Sequence, residues 1–295
     1  MFIGASGPVQ PDFFLLTLGH TCRYAVVTQG AIDLFDVGTS FHVDALIDRL
    51  KSFGLSASRI RYVFLTHLHA DRIGGIETLR TFAPGMQVIG SGRMREDLSN
   101  AAVTKALAQD ESKLVSAFGG TVDASGWSVP TINRVIVEGE NVVLSPEVSV
   151  RSIPLAGHTN HSFGYLVQPY NFLIVDESLG YYQGARTPSL GGDLNIEANI
   201  QWITKALEIE VHGLCLPDSG MLTGALIHRH MRKVLSIYAT IAKEVQAHAR
   251  DGMSPEEIQQ RIKDDYFLSD SSDPIVRHNV EASFAAILPQ ITSSR

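Results

Sequence analysis

Apolar runs and amphipathic stretches alternate along the chain in two rounds, over about residues 10–120 and 134–220. Short apolar runs bounded by Gly, Asn or Asp predict strands in both rounds. Apolar residues at helical spacing predict helices over about 43–53, 93–118 and 196–207. The last hundred residues are mostly helical, with predicted helices over about 224–249, from Ser254, and after Asp273. The pattern therefore predicts a mixed α/β domain followed by helices.

The most specific polar pattern follows the apolar run at residues 62–65, which predicts a buried strand. His67, His69 and Asp71 are spaced two apart, so in extended chain they point to the same side. Gly74 and Gly75 let the backbone turn where a Cβ would obstruct it. Imidazole nitrogens and carboxylates are ligands that Zn²⁺ binds in proteins. Ligand type, spacing and the glycines together favour a metal loop over unrelated surface residues.

Two other predicted strands end in candidate ligands. His158 follows Gly157 directly after a predicted strand, and Asp176 ends a strongly apolar strand with Glu177 beside it. A lone histidine is as often a hydrogen-bonded core residue as a ligand, but a metal loop elsewhere favours ligation here. A carboxylate at the end of an apolar strand needs a metal, an arginine or backbone donors to offset its burial.

Composition narrows the class of protein. The 295 residues are 44% hydrophobic and 19% charged, with a net charge of −7 and a pI near 5.9, so a basic footprint for nucleic acid is absent. The N-terminus lacks the features of a secretory signal, and no apolar run approaches the length of a membrane span. Cys22 and Cys215 stand in unrelated contexts, which indicates reduced thiols. We therefore expect a cytoplasmic protein.

Five motifs occur in order along the chain: Asp36-Val37-Gly38, His67-x-His69-x-Asp71, Gly157-His158-Thr159, Asp176 and Leu216-Pro217-Asp218-Ser219-Gly220. They resemble those of the metallo-β-lactamase superfamily, over about residues 10–225. The resemblance implies an αββα sandwich, in which two mixed sheets lie between helices and the metals bind at one edge. We accordingly expect this domain over residues 1–222 and a helical C-terminal extension, residues 223–295, packed on it.

The resemblance also implies roles for individual residues. His67, His69 and His158 would form the first metal site. Asp71 and Asp176 would serve the second site, and Asp176 would often bridge both.

The sequence departs from the family pattern in the second site. Arg72 stands where the hydrolase branches usually have a histidine, and Ser219, preceded by Asp218, stands at the last histidine. Arg72 after Asp71 is similar to one branch of true zinc β-lactamases. That branch also has a cysteine near Glu177 or Ser178 and keeps the last histidine, so the likeness to it is local.

Three imidazoles and one carboxylate suit a single Zn²⁺, which we expect as the cofactor, with Mn²⁺ or Fe²⁺ as alternatives. A second metal stays an open alternative, held by Asp71, Asp176 and Asp218. Arg72 could replace that missing cation, bind a substrate carboxylate, or form a structural salt bridge with Asp71. The residues predicted to support the site or a weak second site are Asp218, Ser219, Glu177, Asp36 and His161.

The leading hypothesis is a metal-dependent hydrolase that uses a metal-activated water on an ester, thioester or lactone. Asp71 would orient the water or relay its proton, and Arg72 would help to stabilise the oxyanion. A catalytically weak or inactive ligand-binding or regulatory protein is the alternative, and a β-lactamase ranks below both. The expected partner is a small-molecule substrate, with no nucleic acid or membrane, and the helical tail could form a homodimer.

Overall fold

The structure is a computed structural model that describes residues 1–19, 21–122, 124–155, 157–184, 188, 190 and 195–266. Within these residues the chain forms fourteen strands and eight α-helices. The strands are β1 (Phe2–Ile3), β2 (Gly7–Gln10), β3 (Phe13–Leu18), β4 (Thr21–Thr28), β5 (Ala31–Phe35), β6 (Ile60–Phe64), β7 (Gln87–Ser91), β8 (Arg134–Ile136), β9 (Asn141–Val143), β10 (Ser149–Pro154), β11 (Phe163–Gln168), β12 (Phe172–Ile174), β13 (Gly213–Leu216) and β14 (Gly220–Thr223). The helices are α1 (Val43–Ser52), α2 (Ala70–Ile73), α3 (Ile76–Arg80), α4 (Gly92–Leu98), α5 (Ala101–Ala117), α6 (Ile196–Ala206), α7 (Ala225–Arg250) and α8 (Pro255–Tyr266).

The strands form two mixed sheets of seven strands each. The first sheet has the order β2-β3-β4-β5-β6-β7-β8, and its strands β5 to β8 run parallel. The second has the order β1-β14-β13-β12-β11-β10-β9, with one parallel pair, β12 and β13. The carboxyl ends of parallel strands meet at one edge of a sheet, so the loops after β5 and β6 meet at an edge of the first sheet and those after β12 and β13 at an edge of the second.

Because successive side chains along a strand point to opposite faces of the sheet, the buried apolar residues form three layers. In β3, Phe13 and Leu15 face the layer between the two sheets, whereas Phe14 and Leu16 face α1 on the outside of the first sheet. The third layer lies outside the second sheet, where side chains of α6, α7 and α8 pack on those of β12, β13 and β14. These layers confirm the predicted αββα arrangement with additional C-terminal helices.

Hydrogen bonds between the two sheets fix the edge that carries the candidate ligands. The Phe163 amide donates to the Thr66 carbonyl at 2.8 Å, and the Cys22 amide donates to the Pro217 carbonyl at 2.7 Å. The buried Tyr165 hydroxyl adds a bond of 2.6 Å to the Leu65 carbonyl. Because loops from both sheets share these bonds, their side chains are held in one place.

Several sequence predictions have local outcomes. The stretch 93–118 forms two helices, α4 and α5. The predicted helix after Asp273 lies outside the described residues. The boundary at residue 222 and the homodimer stay predictions. In the described part of the chain no helix is long and apolar enough to cross a bilayer.

Gly74 and Gly75 are needed for close packing rather than for an unusual backbone conformation. Their φ angles are −56° and −87°, which other residues adopt readily. A Cβ on Gly75 would lie 2.6 Å from Val43 Cγ2 and 2.8 Å from the Thr39 carbonyl oxygen. The two glycines therefore let the helices after the metal loop approach α1 and α5.

We predict that Gly75→Ala lowers the free energy of unfolding by about 1–3 kcal/mol, because a backbone carbonyl has to move. Gly85→Ala is the matched control, since a Cβ there meets no described atom within 4 Å. Urea unfolding followed by circular dichroism measures both variants. Equal stability of the two variants would contradict the packing argument.

Candidate metal centre

Three histidine side chains converge at the edge where the two sheets meet. His67 and His69 lie between β6 and α2, and His158 follows β10. One ring nitrogen from each lies within 4.8 Å of the others. His69 Nδ1 and His158 Nε2 are 3.2 Å apart. His67 and His158 are buried and His69 is half-buried. The structure thus brings together the three predicted first-site residues.

The protonation of His67 follows from its neighbours. Its Nδ1 lies 3.0 Å from the Thr66 hydroxyl, and that hydroxyl donates its own proton to Asp36 Oδ2 at 2.6 Å. The hydroxyl oxygen must therefore accept from His67 Nδ1, which leaves the Nε2 lone pair directed to the triad. Burial, together with His69 and His158, holds the pKa of His67 well below its usual value. Asp36 thus supports the triad through Thr66, without contacting it.

The Glu177 carboxylate contacts the triad. Its Oε2 lies 3.5 Å from His67 Nε2 and 3.3 Å from His158 Nε2. The side chain is fully buried. Glu177 lies in a short 3-10 turn, Glu177–Leu179, directly after the loop that follows β12.

Asp176, the residue predicted to bridge two metals, caps the turn that carries Glu177 through one of its two oxygens. Its Oδ1 accepts from the Ser178 amide at 3.1 Å and from the Ser178 hydroxyl at 2.5 Å. Its Oδ2 is buried and has no hydrogen-bond partner among the described residues. Metal ligation by Asp176 stays a prediction.

Arg72 stands at the chain position where the family pattern usually has a second-site histidine. Its guanidinium contacts Glu177 through both Nε and Nη2, with the Nε distance 3.0 Å. Nη2 also lies 2.8 Å from Asp218 Oδ2 and 3.1 Å from Asp71 Oδ2. All four side chains are at most 2% exposed. Burial lowers the pKa of Arg72, but Asp218, Asp71 and Glu177 outweigh it and hold that pKa well above the usual value.

A second buried arginine supports this group from β4. Arg23 donates to the Asp71 carbonyl and to the Thr21 hydroxyl, both at 2.6 Å. The Thr21 hydroxyl donates in turn to Asp218 Oδ1 at 2.9 Å. The sequence prediction did not include Thr21 or Arg23. The signal that could have identified Arg23 is its charge within the otherwise apolar strand at 21–28, because a buried arginine needs polar partners.

The remaining predicted residues lie beside the centre. The Ser219 hydroxyl accepts from the Tyr182 amide at 3.0 Å. His161 Nδ1 lies 2.5 Å from the Thr159 hydroxyl, and burial lowers the pKa of His161 to about 4. His161 is not a member of the three-histidine group found among the described residues.

The charges and polar atoms of the centre fit a divalent cation. Two guanidinium groups, those of Arg23 and Arg72, lie among five carboxyl groups, those of Asp36, Asp71, Asp176, Glu177 and Asp218, and burial raises the pKa of Asp36 and of Glu177. Within the part of the chain that is described, His67 Nε2 and Glu177 Oε2 are buried without hydrogen-bond partners. Unpaired buried polar atoms and buried negative charge are costly, and a metal ion between them would offset both.

Comparison with known families agrees with this geometry. The model of the metallo-beta-lactamase superfamily matches residues 22–175, just over half of the chain. The chain belongs to the metallo-beta-lactamase superfamily. The match begins in β4 and ends directly before Asp176.

Individual members of the superfamily are only distantly similar. The metallo-beta-lactamase fold-containing protein ST1585 of Sulfurisphaera tokodaii is 21% identical over 179 residues, which cover 60% of this chain and 67% of that protein. The structure of the family protein TTHA1429 from Thermus thermophilus has a TM-score of 0.69 at 14% identity, covering 97% of this chain and 94% of that one. A B3 metallo-beta-lactamase described as having an active-site glutamic acid has a TM-score of 0.58 at 16% identity, covering 80% and 89%.

We predict that Glu177→Gln weakens Zn²⁺ binding by about 10-fold or more, since it removes the charge that faces the triad. Asp176→Asn keeps an oxygen that can cap the turn and is expected to weaken binding less. Titration of metal-free protein against a competing chelator measures both. A larger loss for Asp176→Asn would assign the metal-facing role to Asp176 instead.

Proposed function

We propose that the protein is a metal-dependent hydrolase that holds one divalent ion at His67, His69 and His158, with Glu177 as the adjacent carboxylate. One observation carries the proposal. His67 Nε2 is buried and has no hydrogen-bond partner among the described residues, and the buried Glu177 Oε2 lies 3.5 Å from it. The proposed substrates are esters, thioesters or lactones.

Zn²⁺ is the proposed ion, because three imidazoles and one carboxylate form a common four-ligand set for zinc. When bound, such an ion supplies Lewis acidity and lowers the pKa of a coordinated water. A glutamate in the centre has a parallel in the superfamily, since the B3 enzyme named above is described as having an active-site glutamic acid. Mn²⁺ and Fe²⁺ remain alternatives that metal analysis distinguishes.

Arg72 supports a centre with one ion rather than two. Its guanidinium already contacts the carboxylates of Asp71, Glu177 and Asp218. A fixed positive charge there neutralises the groups that would otherwise attract a second cation. The same contacts favour a structural role for Arg72 over direct binding of a substrate carboxylate, because its side chain has no exposed surface.

The chain's own polar groups would then divide the remaining work. Asp71 is held in place by the Arg72 guanidinium at its carboxylate and by Arg23 at its backbone carbonyl. It is therefore positioned to orient a water or accept its proton. His69 is more exposed than His67 and His158, so the substrate would approach on the His69 side. This assignment places the acyl carbon next to the half-buried imidazole.

A ligand-binding protein with little or no turnover is the second candidate. The observation in its favour is the deep burial of His67, Arg72 and Glu177, each at most 1% exposed, which restricts the approach of a substrate. Such a protein would bind metal through the same residues. Turnover assays, rather than metal analysis, separate the two candidates.

We predict that the zinc-loaded protein hydrolyses at least one compound in a panel of p-nitrophenyl esters, acyl-thioesters and lactones, with nitrocefin included for β-lactamase activity. His67→Ala combined with His158→Ala should abolish that activity and the bound zinc, because two of three imidazole ligands are lost. His228→Ala, an exposed histidine on α7, is the control. Activity that survives the double substitution would not belong to this centre, and metal binding without turnover would favour the second candidate.

We predict that the wild-type protein binds one zinc ion per chain and that Arg72→His takes up a second one. The substitution removes the fixed charge and supplies an imidazole next to Asp71, Glu177 and Asp218. Metal content after dialysis, measured by elemental analysis, gives the stoichiometry. Arg229→His, at an exposed position on α7, is the control. Two ions in the wild-type protein would refute the role proposed for Arg72.

A further inference from the structure

The long helix α7 contacts the turn that carries Glu177 through two buried side chains. His230 Nε2 donates to the Leu179 carbonyl at 2.8 Å, and the Tyr238 hydroxyl donates to the Ser178 carbonyl at 3.1 Å. His230 is 3% exposed and Tyr238 is 1% exposed. The two side chains are eight residues apart, so both belong to the stripe of α7 that faces the second sheet.

These bonds act on the residues directly after Glu177. The turn consists of three residues, Glu177–Leu179, and the Gly180 amide closes it by donating to the Glu177 carbonyl at 2.7 Å. Asp176 fixes the start of the turn through Ser178, and α7 fixes the carbonyls of its second and third residues. With both ends held, the direction of the Glu177 side chain is set by groups outside the histidine triad.

The Glu177 carboxylate depends on this direction because each of its oxygens has a separate task. Oε1 contacts Arg72, and Oε2 lies 3.3–3.5 Å from His158 and His67. A rotation of the turn would improve one contact only at the expense of the other. A small shift of Ser178 or Leu179 is therefore transmitted to the atoms that face the triad.

We propose that Tyr238 and His230 are positioning residues of the metal centre, through which the C-terminal helix fixes Glu177 against the histidine triad. The proposal rests on the proposed function, in which Glu177 faces the metal ion. It makes α7 part of the support of the centre.

The test is Zn²⁺ affinity of the full-length, metal-free protein, measured by competition with a chelating dye at one pH. Tyr238→Phe keeps the ring and removes the hydroxyl, and we expect it to weaken Zn²⁺ binding by about 3- to 10-fold. Tyr266→Phe is the matched control, because the Tyr266 hydroxyl also bonds to a residue of α7, donating to Glu244 at 2.8 Å, away from the turn. We expect that control to stay within about 2-fold of wild type.

A merely structural role would give a different result in a double-substitution cycle. If Tyr238 acts through Glu177, Tyr238→Phe should have almost no further effect on Zn²⁺ affinity in a Glu177→Gln background. Two outcomes would overturn the positioning proposal alone. In the first, Tyr238→Phe weakens Zn²⁺ binding equally in the wild-type and Glu177→Gln backgrounds. In the second, Tyr238→Phe leaves the Zn²⁺ affinity unchanged although Glu177→Gln lowers it. A wild-type protein that binds no Zn²⁺, or whose Zn²⁺ affinity is unchanged by Glu177→Gln, would overturn the proposed function together with it.

His230 provides an independent pair of variants. His230→Leu removes the donor to Leu179 and should weaken Zn²⁺ binding, whereas His230→Gln keeps an N–H donor and should restore part of the affinity. His228→Leu, an exposed neighbour on α7, is the control. Equal Zn²⁺ affinities of His230→Leu and His230→Gln, both weaker than wild type, would show that the donor is not what matters and would contradict the proposal.

Discussion

The interaction on which the centre depends is the contact of the buried Arg72 guanidinium with three carboxylates. Asp71 is next to Arg72 in α2, Glu177 lies in the turn after β12, and Asp218 follows β13, and each lies against the same guanidinium. Without that charge the three carboxylates would repel one another in a region with little water to screen them. With it, the loops after β6, β12 and β13 are held together at one edge.

This arrangement balances only part of the negative charge. Five carboxyl groups lie around the two guanidinium groups of Arg23 and Arg72, which can pair with only some of them. The histidine triad lies directly beside this group, with Glu177 shared between the arginine and the imidazoles. The Arg72 guanidinium is the fixed cation on one side of Glu177, and the histidine triad on the other side is the proposed site of a divalent cation. This arrangement explains how a member of this superfamily could lack two second-site histidines and keep its first site.

The fold supports the centre from both outer layers. On one side Gly74 and Gly75 let the helices after the metal loop approach α1 and α5 closely. On the other side α7 reaches through to the turn with Glu177 by way of His230 and Tyr238. The inter-sheet hydrogen bonds at Thr66 and Pro217 hold these two halves in register. Residues far apart in the chain therefore share the task of orienting a few ligand atoms.

From the sequence by itself, the hydrophobic pattern predicted a mixed α/β domain with its strand ends, and the resemblance of the motifs to the superfamily implied the αββα arrangement and the three histidines. Hydrophobic periodicity and the His67-x-His69-x-Asp71 spacing are local, so they can be read without the tertiary structure. Tertiary structure alone decided which carboxylate faces the triad. Asp176 and Glu177 are adjacent, and only the turn after β12 directs Glu177 to the histidines while Asp176 caps that turn. The contacts of Arg72 with Glu177 and Asp218, and the contacts from α7, join segments more than fifty residues apart, whose approach depends on the packing of both sheets.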